Sequence, residues 1–112
     1  MIIHCANSAK RFFAENNPEQ DFRETVEKTA IIREFSKNKR LILISSISAR
    51  TQLHTVYGRN RRSCELIADP KKSLIVRLGP MFGIGKTVGV LSDIISDRKV
   101  YAAPTTKYAF VD

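Results

Sequence analysis

Short unbroken apolar runs alternate along this chain with longer stretches in which apolar positions recur three or four residues apart. Met1 to Ala6 is one such run, β-branched at Ile2 and Ile3. Leu41 to Ile44 is a second, closed by Ser45-Ser46, and Ser73 to Leu78 is a third, centred on Leu74, Ile75 and Val76. Runs of this length without polar alternation read as strands buried on both faces. After the loop signal Asn16-Asn17-Pro18, the residues Phe22, Val26, Thr29, Ala30, Ile31 and Phe35 recur at helical spacing and predict a helix over 20–37. A polar loop after Ser46 leads to a predicted helix over 57–68, stopped by Asp69-Pro70. Gly79 to Gly85 is a glycine-rich turn before a helix over 87–95, and 100–102 and 108–111 read as short closing strands. Strands alternating with helices imply βαβ units, hence an α/β fold of three layers with a parallel sheet flanked by helices. The whole of 1–112 is expected to form a single domain.

In open sheets of this kind ligands sit at the carboxyl ends of the strands. That directs attention to Ala6-Asn7, to Ser45-Ser46 and to the segment from Gly79. Ser45-Ser46 ends the second strand, Tyr57-Gly58-Arg59-Asn60-Arg61 opens the next helix, and the third strand runs Ile75-Val76-Arg77-Leu78 into Gly79-Pro80-Met81-Phe82-Gly83. This order resembles the extended short-chain dehydrogenase/reductase family, the NAD-dependent epimerase/dehydratase group. There a strand ending in Ser-Ser or Ser-Thr precedes Tyr-x-x-x-Lys, and an Arg-bearing strand leads into a Gly-containing loop. The opening run with His4-Cys5-Ala6 is similar to the family's fourth strand, and Tyr108-Ala109-Phe110-Val111-Asp112 to a later strand followed by Asp. Four features in register cover nearly the whole chain.

The resemblance implies a partial Rossmann-type domain that binds NAD or NADP and acts on a nucleotide sugar. Hydride transfer at a sugar carbon must be matched by proton movement on the attached oxygen. A tyrosine hydroxyl, with an ordinary pKa near 10, serves when positive charge stabilises its phenolate, and a cation four residues on lies one turn along the same helix face. By the match, Tyr57 is the expected acid/base, Ser46 the hydroxyl that polarises the reacting oxygen, and Arg61 the cation. The expected cofactor contacts are Ala6, Asn7, Ser45, Arg61, Gly79 and Pro80.

Three departures shape the expectation. Arg61 stands where the family has Lys, and its planar guanidinium does not copy the contacts of an ammonium. Thr25-Val26-Glu27-Lys28-Thr29 stands where the family often has Asn-Val-x-Gly-Thr. The family's opening strand and its Gly-x-x-Gly-x-x-Gly turn have no counterpart, so the chain is expected to be a truncated or split form, inactive alone. A non-catalytic remnant or partner subunit is the alternative, completed by a cofactor-binding chain or a second copy along the 1–6 strand edge. A further alternative comes from Pro80-Met81-Phe82-Gly83-Ile84-Gly85-Lys86-Thr87, which approaches the P-loop Gly-x-x-x-x-Gly-Lys-Thr but has proline at its first position.

Composition adds little beyond charge. With 43% hydrophobic and 27% charged residues the chain is of globular type, and no apolar run reaches the ~20 residues a membrane-crossing helix needs. Cys5 and Cys64 make neither a disulfide framework nor a zinc site, so a cytoplasmic setting without membrane attachment is expected. The net charge of +8 comes in clusters at Lys37, Lys39 and Arg40, at Arg59, Arg61 and Arg62, and at Lys71 and Lys72. Aromatic residues are not interleaved with these clusters, which argues against single-stranded nucleic acid and leaves a solvated surface or a site for a phosphate-bearing small ligand as the expectation. Of the remaining residues, His4 is expected to be packed at a strand end, Cys5 to be a small buried hydrophobe, and the acids of 19–34 to form a solvated helix face.

Overall fold

The structure, a computed structural model, describes residues 1–81, 89–100, 102, 103, 105 and 107. The chain divides into two compact units, Met1–Arg77 and Leu78–Asp112. The first unit opens with β1 (Ile2–His4), followed by α1 (Arg11–Asn16), α2 (Pro18–Phe22), a π-helical turn (Arg23–Glu27) and α3 (Lys28–Phe35). β2 (Leu41–Ser46), α4 (Ser48–Thr51), α5 (Val56–Ile67) and β3 (Ser73–Leu78) complete it, the last residue of β3 opening the second unit. The strands form one parallel sheet in the order β1-β2-β3, with Ile2 opposite Leu41, Ile3 opposite Ile42 and His4 opposite Leu43.

Side chains along a strand alternate between faces, and burial follows that alternation here. Leu41, Leu43 and Ser45 are buried, whereas Ile42, Ile44 and Ser46 are half-buried. The buried set joins Val26, Cys64 and Ala68 in a core against which Ile2, Ile32, Ile67 and Ile75 pack. Because α5 lies on β2 and touches α1, α2, the π-helical turn, α3 and α4, these helices make one layer on one sheet face. The opposite parity, Ile3, Ile42, Ile44, Leu74 and Val76, lies on the other face, where Ile3 is 56% and Leu74 45% exposed. Within this unit the parallel sheet thus carries its helices as one layer, an α/β arrangement.

The boundaries have local causes. Pro18 opens α2, where its missing N–H costs no helical bond. At α5, Thr55 Oγ1 accepts from the Gly58 amide at 3.0 Å, a side-chain cap on an otherwise orphaned donor. The helix predicted over 20–37 runs over 18–35 and carries the π-helical turn within it. There Thr25 Oγ1 donates to the Asp21 carbonyl at 2.5 Å, and Thr29 Oγ1 to the Thr25 carbonyl at 2.7 Å. Hydroxyls that bond back to the i−4 carbonyl compete with the helical ladder and locally widen it.

The helix α1 arises in a stretch with no apolar periodicity, since it buries only Ala14 and leaves Phe12 exposed. Cys5 is exposed rather than buried, and Asp21, expected on a solvated face, is 0% exposed. In the second unit α6 (Val90–Ile95) follows Gly89, whose φ of +119° suits a residue without a Cβ, and Arg98 pairs with Asp93 at 3.1 Å. Val100 and Ala102 are not in strand, and the strand expected at 108–111 lies outside the described residues, as do Tyr101, Thr87 and the core of the P-loop-like segment. No helix among the described residues is long and apolar enough to cross a membrane.

Candidate functional site

Parallel strands bring the ends of β1 and β2 to one edge of the sheet, and α4 and α5 bring their side chains to the same edge. Tyr57, in the first turn of α5, is 7% exposed. Two guanidinium groups stand over its ring, that of Arg61 at 4.8 Å from the centroid and that of Arg11 at 5.8 Å. Arg61 is itself 3% exposed and donates to the carbonyl of Ser8, just past the end of β1. Arg11 is held by a bond of 3.0 Å to Ser48 Oγ, and Ser46 Oγ in turn accepts from the Ser48 amide at 3.2 Å. A chain of contacts therefore runs Ser46–Ser48–Arg11–Tyr57–Arg61–Ser8.

The backbone under Tyr57 is fixed from two sides. Glu15 Oε1 accepts from the amides of Val56 at 2.8 Å and Tyr57 at 3.4 Å. A carboxylate at this place satisfies free N–H groups and meets the positive end of the helix dipole. Gly58 lies so close to the end of α4 that an added Cβ would meet the Gln52 carbonyl oxygen at 2.0 Å.

Ser45 faces elsewhere. Its hydroxyl donates at 2.8 Å to Glu65, eight residues beyond Tyr57 and thus roughly 12 Å along the helix. Glu65 is fully buried and also accepts from Arg77 Nε at 2.8 Å, Arg77 Nη2 at 2.9 Å and Arg62 at 3.1 Å. Burial pushes the Glu65 carboxyl up, but the bonds from Arg77, Ser45 and Arg62 outweigh it and hold the group below the usual carboxylate range.

At the end of β1, His4 is buried, with Nε2 3.0 Å from Thr29 Oγ1 and Nδ1 accepting from the Ala6 amide at 3.4 Å. Because Thr29 Oγ1 spends its own proton on the Thr25 carbonyl, Nε2 carries the imidazole proton. Burial, with Lys28 and Arg61 adding to it, lowers the His4 pKa from its ordinary value. The Ala6 carbonyl accepts from Lys28 Nζ at 3.1 Å. Asn7 has both amide atoms shielded from solvent and without partners, and so does Asp21 Oδ1, while Asp21 Oδ2 accepts from Asn60 at 2.7 Å. Gly79 and Pro80 are half-buried and belong to the second unit.

Of the residues expected at the site, Ser46, Tyr57 and Arg61 thus belong to one chain of contacts, Ala6 and Asn7 border it, and Ser45 is committed to Glu65. Arg11, Glu15, Asp21, Glu65 and Arg77 were not foreseen. One signal for the Glu65–Arg77 pair was present: a charge inside the apolar run Leu74 to Leu78 needs a partner if it lies against the core. No family model matches the chain, and no curated protein matches it.

Proposed function

We propose that the chain supplies the substrate-side half of an NAD(P)-linked oxidoreductase site, of the epimerase, dehydratase or reductase kind, acting on a nucleotide sugar. One observation carries the reading: Tyr57, buried at the first turn of α5 beside the carboxyl ends of β1 and β2, has a guanidinium one helical turn on at 4.8 Å from its ring. In this reading the Tyr57 hydroxyl would exchange a proton with the carbinol oxygen of the sugar, and a nicotinamide held beside it would supply or accept the hydride at the attached carbon. Arg61 and Arg11 provide the positive field, and Glu15 holds the helix start from which Tyr57 projects. Asn7, with a donor and an acceptor both unpartnered, fits a cofactor group that offers both, such as a hydroxyl or a carboxamide. The rest of the dinucleotide site is supplied by a partner chain or second copy that adds to the sheet at β1, its edge strand.

Steady formation of reduced nicotinamide from NAD or NADP with a panel of nucleotide sugars, by the chain combined with a cofactor-binding companion chain, tests the reading, with Tyr57→Phe as the comparison. Turnover that Tyr57→Phe removes supports it, and turnover indifferent to that change overturns it. A second reading, a non-catalytic partner subunit, is favoured by the hydroxyls of Ser45 and Ser46, which bond Glu65 and the Ser48 amide, and by the engagement of Arg61 with Ser8. Complete absence of turnover with every combination points to it.

A further inference from the structure

Arg61 is an anomaly of electrostatics. Its guanidinium is almost wholly buried, yet its contacts are a peptide carbonyl and an aromatic ring. Neither it nor Arg11 has a carboxylate within ion-pair distance among the described residues. Buried cations are ordinarily paired with an anion, because a dipole and a ring face compensate only part of the lost hydration. Glu15, on the same helix as Arg11, has one oxygen committed to the amides of Val56 and Tyr57, and buried Asp21 has one oxygen held by Asn60 and the other without a hydrogen-bond partner. Two cations therefore converge on one tyrosine, and no carboxylate among the described residues pairs with either.

We infer that the group recognised beside Tyr57 is anionic: the ligand carries a carboxylate or phosphoryl group close to the carbon whose oxygen faces the tyrosine. Arg11 is the residue that reads it. It stands at the surface, is held in place through one nitrogen by Ser48, and keeps further N–H donors for a planar or tetrahedral oxyanion. Buried Arg61 adds charge behind the ring without touching the ligand. The inference rests on the proposed site and narrows its substrate from nucleotide sugars in general to those with an anionic group beside the reacting carbon.

Titration of the ¹⁵N-labelled chain with glucuronate, glucose 1-phosphate and glucose, followed by NMR, tests it. One of the two anionic probes binds at least ~10-fold more tightly than glucose, which needs only one strong charge-assisted contact; which of them wins distinguishes carboxylate from phosphoryl. Arg11→Gln abolishes the preference, and Arg11→Lys retains part of it. Lys71→Gln makes the same change of net charge before β3, at the amino-terminal end of the sheet, and leaves the preference intact. Equal binding of all three probes, no binding of any, or equal losses in Arg11→Gln and Lys71→Gln overturns the inference. Tyr57→Phe separates it from the oxidoreductase reading: the ring remains, so the anion preference persists whether or not turnover exists to be lost.

Discussion

Arg77 reaches from β3 to Glu65 on α5 and bonds both carboxylate oxygens, at 2.8 and 2.9 Å. The pair ties the third strand to the helix that carries Tyr57. Ser45 adds the end of β2 to the same carboxylate. Removing Glu65 leaves Arg77 and Ser45 facing a void, and Glu65→Ala is expected to cost about 3 kcal/mol. Ser45→Ala removes one hydroxyl bond and costs about 1 kcal/mol. Urea denaturation of the two variants measures both, and the larger loss belongs to Glu65.

Glu65 and His4 make the fold acid-labile in two windows. His4 has a lowered pKa in the folded chain, so the unfolded chain binds the proton more readily and stability falls as pH drops below the ordinary value of 6.5. Glu65 is also lowered, and its contribution is present above the ordinary value of 4.5 and lost as pH falls through the folded one. Stability measured across the acid range is expected to decline in two stages. His4→Gln removes the upper stage and leaves the lower.

Gly58 tests how tightly the helix start is held. A methyl group there meets the Gln52 carbonyl oxygen at 2.0 Å and the Ser48 carbonyl oxygen at 2.9 Å, both backbone atoms. Gly58→Ala therefore forces α5 away from α4 and is expected to cost about 3 kcal/mol, at the upper end of overpacking losses. Thermal melting reads the loss, and the NMR resonances of Tyr57 report the displacement.

These predictions rest on features that differed in how visible they were beforehand. β3 occupies the segment expected of it, 73–78, because a continuous apolar run follows the strong stop Asp69-Pro70. α5 begins one residue earlier than expected, at Val56, because Thr55 supplies the cap. Tyr57 and Arg61 were expected at the site from the resemblance, which did not reveal that Arg61 would turn inward to the Ser8 carbonyl. The commitment of Ser45 was legible in principle, since period-two alternation places it on the face of Leu41 and Leu43. Asp21 and the π-helical turn were not legible, because both depend on hydrogen bonds between side chains and backbone that no pattern of apolar positions encodes.

Binding of the whole dinucleotide is expected to be weak. The turn between β1 and α1 contains no glycine, so it does not offer the close backbone approach and helix start that hold a pyrophosphate. Calorimetric titration with NAD, NADH and NADPH is expected to show nothing tighter than millimolar. Micromolar affinity for any of them contradicts this.

Among the described residues β1 pairs on one side only, at the edge of the sheet, with Ile3 exposed beside it. Unpaired edges invite strand addition. A concentration-dependent dimer joined along residues 1–6 is expected, and light scattering over a dilution series detects it. Ile3→Lys returns the chain to monomer, and a wild-type monomer at high concentration rejects the expectation.

The π-helical turn at Arg23–Glu27 amounts to one surplus residue carried inside a helix. Such a bulge lets the segments on either side keep their own faces, Asp21 toward Asn60 before it and Thr29 toward His4 after it. The helix is therefore tolerant of shortening in a way that ordinary helices are not. Excision of exposed Glu27 converts the wide turn into a regular one and leaves both anchors aligned, whereas the same excision within α5 rotates Arg61 and Glu65 away from their partners. Length variation among natural relatives of this chain, where it occurs in helices, should accordingly concentrate at this turn.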